Sequence, residues 1–177
     1  EKQKEINRKR YLKSLFDAGD YKKEIMKYLE DMDLLDDTII VFFSDHGTSI
    51  GEKFGEKMYG SFTYDYTILS YVCFINKKIF PVQKIDYQIR MIDVMPTILE
   101  AVSIIPDNHC TKMEGLSLFP FFRRTKKPGF FTKSRIEAND RIAYVETGGL
   151  NGPWPSPERP NVKCLRTPFF KVIHNLT

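Results

Sequence analysis

Two residues with metal-binding side chains, Asp45 and His46, stand side by side in the motif Ser44-Asp45-His46-Gly47, directly after the apolar run of residues 38–43. Aspartate supplies a hard anionic oxygen and histidine a neutral imidazole nitrogen, a mixed pair that suits zinc, manganese and related divalent ions. Gly47 allows the chain to turn tightly behind them. The motif alone leaves a second interpretation equally open, in which Asp45 caps a turn and His46 is solvated. The pair is therefore a candidate half of a metal site.

A long helix and a buried strand are predicted to position this motif. Apolar residues recur with a helical period over residues 11–35, and the period has one interruption at residues 18–20, so we expect a long amphipathic helix with a bend there. Residues 38–43 are apolar on both faces, which is typical of a central strand in a parallel sheet. In α/β enzymes the chemistry lies at the carboxyl ends of such strands. The sequence thus predicts an α/β fold with a mostly parallel central sheet flanked by helices.

The later chain is predicted to alternate between loops, strands and one helix. Residues 48–63 are rich in glycine and lysine without a period, so we expect a loop that leaves the carboxyl end of the strand. Asp93 is a plausible N-cap of a helix that tolerates Pro96 in its first turn. Residues 115–129 are expected to be an exposed connection with a basic patch. Further strands are predicted at residues 70–75, 142–146 and 169–173.

Composition and charge place the chain among globular proteins and argue against a nucleic-acid binder. Of 177 residues, 42% are hydrophobic, which is enough to bury a core. The net charge of +4 arises from 27 basic residues opposed by 23 acidic ones. The basic clusters, residues 2–13 and 123–127, lack the interleaved aromatic residues of a nucleic-acid platform and are interpreted as solvated faces. A small anionic substrate is compatible with this balance.

Cysteine usage and hydropathy give expectations about compartment. Cys73, Cys110 and Cys164 are odd in number and lack paired spacing, so we expect neither a disulfide framework nor a zinc knuckle. A reducing compartment such as the cytoplasm fits best. No run reaches the roughly 18–20 consecutive apolar residues of a membrane helix, and residues 1–5 are not a secretory signal. Because the chain has no initiator methionine, we expect it to begin inside a longer protein, which leaves its localisation open.

Several motifs follow one another in a recognisable order: a helix, residues 34–47, a lysine-bearing loop, residues 92–99 and residues 114–118. In this order they resemble the sulfatase branch of the alkaline phosphatase superfamily. The resemblance runs from about residue 11 to residue 121. It implies that residues 1–177 form the C-terminal portion of a sulfatase-like catalytic domain, with its core at 11–121 and C-terminal strands and loops at 122–177.

The resemblance also implies a site and a cofactor. Family members hold a divalent metal at the carboxyl ends of a mostly parallel sheet and hydrolyse sulfate or phosphate esters. Asp45 and His46 take the places of metal ligands in the matching motif. A loop lysine contacts the anionic oxygens of the ester in family members, and Lys57 is the best match here, followed by Lys53. Calcium, manganese, magnesium and zinc are not distinguished by such a pair.

Two parts of the family pattern have no counterpart in this sequence. No cysteine or serine lies in the Cys/Ser-x-Pro/Ala-x-Arg setting of the sulfatase nucleophile, and no upstream Asp-Asp pair supplies the remaining ligands. Both normally lie N-terminal to the matched region. We therefore expect the isolated chain to be inactive and its main partner to be the missing N-terminal half of the same domain.

Three functions are consistent with these residues. In the first, the parent protein is a metal-dependent sulfuric ester hydrolase that binds a small anionic ester, and this chain carries the Asp-His half of the metal site. In the second, it is a phosphoesterase or phosphotransferase of the same superfamily, which His46 in place of asparagine mildly favours. In the third, the chain is a non-catalytic remnant that binds a partner or an anion through its basic patches.

Overall fold

The computed structural model describes residues 2–53, 62–104, 113–122, 141–147 and 162–175. The chain divides into two compact units, which are described separately. The first comprises Glu1–Lys78, Glu146–Val162 and Asn175–Thr177, and the second comprises Ile79–Val145 and Lys163–His174. The basic patch at residues 123–127, Lys57 and Cys110 lie outside the described residues.

Helix α1, Lys2–Asp31, opens the first unit and runs unbroken for 30 residues. This confirms the predicted long helix, and the gap in its apolar period at residues 18–20 does not end it, because a single glycine costs a helix only about 1 kcal/mol. The helix ends in a Schellman arrangement around Asp33, whose φ is 56°. There the Leu34 N–H donates to the Leu29 carbonyl at 2.8 Å and the Asp33 N–H donates to the Glu30 carbonyl at 3.0 Å. None of the side chains of α1 is buried.

Strands β1, Ile40–Phe43, and β2, Val72–Ile75, form a two-stranded sheet, with the one-turn helix α2, Asp65–Ile68, in the segment between them. They pair antiparallel, with Ile40 opposite Ile75 and Phe43 opposite Val72. The parallel pairing expected for residues 38–43 is therefore not found here. A continuous apolar run indicates burial and carries no information about strand direction.

The second unit is built on α3, Val94–Ala101, and α4, Phe119–Phe122. Phe80 packs edge-on against Phe119 and Phe122, with ring centroids 6.0 and 5.0 Å apart, and Leu118 beside them is fully buried. These aromatic contacts form the core of this unit.

Asp93 stands at the N-cap position of α3, as the sequence predicted, but its side chain makes no cap hydrogen bond and is instead the polar centre of the second unit. Its buried carboxylate pairs with Arg141 at 2.7 Å and Arg90 at 3.0 Å, and it accepts the Leu116 N–H at 2.9 Å. Gly115 is required beside it, because a Cβ there would stand 1.8 Å from the Ile92 carbonyl oxygen. Residues 115 and 117–119 are buried, so the expectation of an exposed connection is wrong for them.

Three strands close the chain: β3, Ala143–Thr147, β4, Val162–Arg166, and β5, Lys171–Asn175, with β4 in the centre. The two outer strands were predicted within two residues. The central strand β4 was missed, although Val162 and Cys164 are buried and alternate as strand residues do. No described helix is long and apolar enough to cross a membrane.

Candidate metal and ester site

Asp45 and His46 follow β1 and lie at the surface, with side chains that are 83% and 48% exposed. The His46 backbone N–H donates to Asp45 Oδ1 at 2.8 Å. On the ring, His46 Nδ1 lies 2.5 Å from the Gly47 carbonyl oxygen. Because a carbonyl oxygen only accepts, Nδ1 is the donor, and in the neutral ring Nε2 then carries the lone pair. Nε2 is the ring nitrogen that faces Asp45 Oδ2, at 3.5 Å.

This separation suits two ligands of one divalent ion. With metal–ligand bonds of about 2.1 Å, two ligands of a tetrahedral ion stand about 3.4 Å apart. A backbone carbonyl on the far ring nitrogen is also the usual way in which a metal-binding histidine is oriented. The same atoms form an ordinary ion pair when His46 is protonated. In the part of the chain that the structure describes, no three or more His, Cys, Asp or Glu residues come together as a metal site, so Asp45 and His46 fall short of the usual three or four ligands.

The motif is bonded to the segment that precedes β2. The Ser44 N–H donates to the Tyr71 carbonyl at 3.1 Å, and the Tyr71 N–H donates to Ser44 Oγ at 3.2 Å. The Gly47 N–H donates to the Thr67 carbonyl at 2.7 Å. A Cβ at position 47 would stand 2.3 Å from the Tyr66 carbonyl oxygen, so this close approach requires glycine.

The loop after the motif is closed by Glu52. Its Oε2 accepts the Ile50 N–H at 2.8 Å and the Ser49 hydroxyl at 3.2 Å. Partial burial acts to raise the pKa of Glu52, but these donors and the charge of Lys4 outweigh it, so the pKa is lowered from its usual value. The carboxylate therefore holds the turn in its ionised form.

The structure describes only one of the two candidate lysines, Lys53. Lys57 lies outside the described residues. Lys53 is exposed, and its ammonium lies 3.8 Å from the centroid of the Tyr64 ring, a cation–π contact. The structure therefore brings Lys53 next to the start of α2.

Sequence reasoning missed the residues that support the motif. Ser44 and Tyr71 are 27 residues apart, and neither their residue types nor their spacing predicts a contact between them. Gly47 was noted for its turn, but the backbone of residues 66–69 that makes it necessary was not foreseen.

The sequence model of the Sulfatase family matches residues 2–104, which is more than half of the 177-residue chain. The chain belongs to the sulfatase family. This confirms the resemblance drawn from the motifs, and the matched region includes Asp45, His46 and the lysine-bearing loop. No curated protein matches this sulfatase chain.

Among solved structures, the sulfatase chain is similar to that of BT4656 in complex with its substrate D-glucosamine-2-N,6-O-disulfate. The TM-score is 0.56 at 24% sequence identity, and the match covers 86% of this chain and 28% of that chain. At this identity the likeness shows the fold, which is alkaline-phosphatase-like. The chain thus spans less than a third of the length of the structure that it matches.

Proposed function

We propose that the protein to which this chain belongs hydrolyses sulfate esters, and that this chain supplies Asp45 and His46 to its divalent-metal site. The observation that carries the proposal is the 3.5 Å separation of Asp45 Oδ2 and His46 Nε2 within the region matched by the sulfatase family. It is supported by the Nδ1 contact with Gly47, which leaves Nε2 as the nitrogen able to bind a metal.

The chemistry of the proposed reaction explains why these residue types would be needed. Cleavage at sulfur develops negative charge on the equatorial oxygens and on the leaving oxygen, and a bound divalent ion stabilises such charge as a Lewis acid. Asp45 and His46 hold that ion. Lys57 is proposed as the catalytic lysine that contacts the ester oxygens, with Lys53 as a second anion contact whose ammonium is held over Tyr64.

A sulfated sugar is the substrate class that we propose to test first. The solved structure of BT4656 contains such a substrate, D-glucosamine-2-N,6-O-disulfate. The excess of 27 basic over 23 acidic residues is compatible with an anionic ligand of this kind.

We propose further that polypeptide beyond this chain, the N-terminal half of the same domain, completes the site. Two ligands bind a divalent ion weakly, and the chain covers 28% of the structure that it matches. In addition, α1 and Met32, the residue that follows it, expose a row of large apolar residues spaced by four, three and four positions, which we call the α1 stripe: Tyr21, Ile25, Tyr28 and Met32. Such spacing places them on one face of the helix, where the remainder of the domain would cover them.

The metal site is tested by Mn²⁺ binding to the chain, measured by electron paramagnetic resonance, which counts free Mn²⁺. We expect weak binding by the wild type and loss of binding in Asp45→Ala and His46→Ala. Asp86→Ala is the control, because Asp86 is also exposed and lies in an ion pair with Lys84 at 2.8 Å. Equal binding by all four proteins would contradict the proposed site.

The reaction itself is tested in the full-length parent protein with aryl sulfate and aryl phosphate. Turnover of the sulfate that is lost in Asp45→Ala supports a sulfatase. Preferential turnover of the phosphate would support the phosphoesterase alternative, which His46 in place of asparagine favours.

A further inference from the structure

The two proposed metal ligands lie between two tethers to one segment of the chain. On one side, Ser44 is joined to Tyr71 by hydrogen bonds of 3.1 and 3.2 Å. On the other side, Gly47 is joined to Thr67 by a bond of 2.7 Å. Only Asp45 and His46 stand between the tethered residues, so the ligand pair is a two-residue bridge over residues 67–71.

Residues 67–71 are themselves held in place. The Thr67 and Ile68 N–H groups donate to the Tyr64 carbonyl at 2.9 and 3.0 Å, and the Leu69 N–H donates to the Asp65 carbonyl at 2.8 Å. These bonds fix residues 67–69 as the last residues and C-cap of α2.

The other end of the segment is fixed to α1. Lys22 of that helix donates a hydrogen bond to the Tyr71 hydroxyl, and its ammonium lies 4.7 Å from the Tyr71 ring centroid and 5.4 Å from that of Phe42. Residues 67–71 are therefore held at both ends, and we call them the base of the ligand pair.

We propose that Ser44 is a positioning residue for metal binding, acting through this base. Its hydroxyl accepts the Tyr71 N–H and so fixes the residue from which Asp45 emerges, while Gly47 fixes the other end and supplies the carbonyl that orients His46. The proposal rests on the proposed function, since it takes Asp45 and His46 as the metal ligands.

Ser44 is the informative position because its hydroxyl is the one side-chain group in the tethers. The Ser44 N–H to Tyr71 bond and the Gly47 N–H to Thr67 bond join backbone atoms, so they survive a side-chain substitution. Removing the hydroxyl leaves the start of the bridge with one bond and frees the Tyr71 N–H. Loss of an outer contact of this kind lowers metal affinity by about 10- to 100-fold.

The test compares Mn²⁺ affinity in Ser44→Ala, Ser44→Thr and Ser14→Ala, with thermal unfolding measured on the same samples. Ser44→Ala is expected to bind about 10- to 100-fold more weakly, and Ser44→Thr, which keeps a hydroxyl acceptor, within about threefold of the wild type. Ser14→Ala is the matched control, because it removes a serine hydroxyl that takes no part in the tethers and donates to the Arg10 carbonyl within α1 at 3.1 Å. It should bind as the wild type does.

Wild-type affinity in Ser44→Ala would overturn the proposal, as would equal losses in Ser44→Ala and Ser44→Thr. If Ser44→Ala does not fold, Ser44→Cys takes its place, and its weak sulfur acceptor should give an intermediate affinity; wild-type affinity would again overturn the proposal. Loss of Mn²⁺ binding in Asp45→Ala but not in Ser44→Ala contradicts the positioning role alone. No difference between Asp45→Ala and the wild type contradicts the metal site itself.

Discussion

Gly47 is the residue at which the backbone of the site comes closest to another segment. A Cβ there would stand 2.3 Å from the Tyr66 carbonyl oxygen and 2.9 Å from that of Leu69. Both obstacles are backbone atoms, so relief requires movement of residues 66–69 or loss of the bond from the Gly47 N–H to Thr67.

We predict that Gly47→Ala lowers the free energy of unfolding by about 1–3 kcal/mol, as overpacking in a well-packed region does. Gly19→Ala is the control, because a Cβ at position 19 in α1 meets nothing within 4 Å. It should instead stabilise the protein by about 0.5–1 kcal/mol, since alanine is the better helix former. Urea denaturation of the two variants measures both changes, and equal effects would contradict the close approach described for Gly47.

Single residues also mark the limit of what the sequence could predict about the site. Asp45 and His46 were identifiable because adjacent ligand types after an apolar run form a local pattern. Ser44 and Tyr71 were not, because a hydrogen bond across 27 residues depends on how the intervening chain folds. The contact between Lys53 and the Tyr64 ring was not predicted for the same reason.

At the level of elements, the loop after the motif depends on one ionised carboxylate. Glu52 accepts hydrogen bonds from Ile50 and Ser49, and its pKa in the folded protein is lowered from 4.5. A lowered folded-state pKa gives stability that is present above the unfolded-state pKa and lost as the pH falls through the folded value.

We therefore predict that residues 49–52 keep their turn at neutral pH and loosen only below about pH 4.5. The amide proton of Ile50 should exchange faster and shift upfield as the pH falls, which nuclear magnetic resonance measures. Glu52→Gln serves as the control and should show no such transition. A transition of Ile50 that persists in Glu52→Gln would assign it to another group.

The second unit depends on the ion pairs around Asp93. Its carboxylate is fully buried between Arg90 and Arg141 and also holds the Leu116 N–H. Burial lowers the pKa of Arg141 from its usual value, and the negative charge of Asp93 opposes this shift by favouring the charged guanidinium. Removing the negative charge would leave two arginines without their shared partner.

Asp93→Asn is predicted to destabilise the protein by about 3–5 kcal/mol, the usual cost of breaking a buried pair from one side. Asp86→Asn provides the comparison, because the pair of Asp86 with Lys84 is exposed and such pairs contribute little. Chemical denaturation should show a large loss for the first variant and no measurable change for the second. Similar small changes in both would contradict the central role of Asp93.

The elements differ in how much of them the sequence predicted. Helix α1 and strand β1 were found because periodicity and β-branched runs are local signals. The antiparallel direction of β2 was not, since apolar residues on both faces fit either direction. The burial of residues 115 and 117–119 was also missed, because this segment packs against Asp93 and Ile92, which are more than 20 residues away.

For the molecule as a whole, the α1 stripe is a row of large apolar side chains that are exposed to solvent. The α1 stripe is 49% to 67% exposed, whereas two lysine–aspartate pairs lie away from it on the helix: Lys23 with Asp20 and Lys27 with Asp31. Contiguous exposed apolar residues mark an interaction surface.

Without the proposed remainder of the domain, the chain is predicted to self-associate through this stripe. Sedimentation velocity over a range of concentrations should show oligomers in the wild type, fewer in Ile25→Gln, and no change in Lys27→Gln, which alters one of these charged pairs. A wild-type chain that remains monomeric at all concentrations would instead favour the non-catalytic module.

The two-residue bridge determines when the backbone around Asp45 and His46 loses its conformational entropy. Fixing the backbone of one residue costs about 1–2 kcal/mol, and a ligand pair on a long free loop would meet this cost only when the ion arrives. Here Ser44 and Gly47 are already bonded to residues 67–71, so most of that ordering occurs during folding. Binding of the proposed ion would then require little more than a choice of side-chain rotamers at Asp45 and His46.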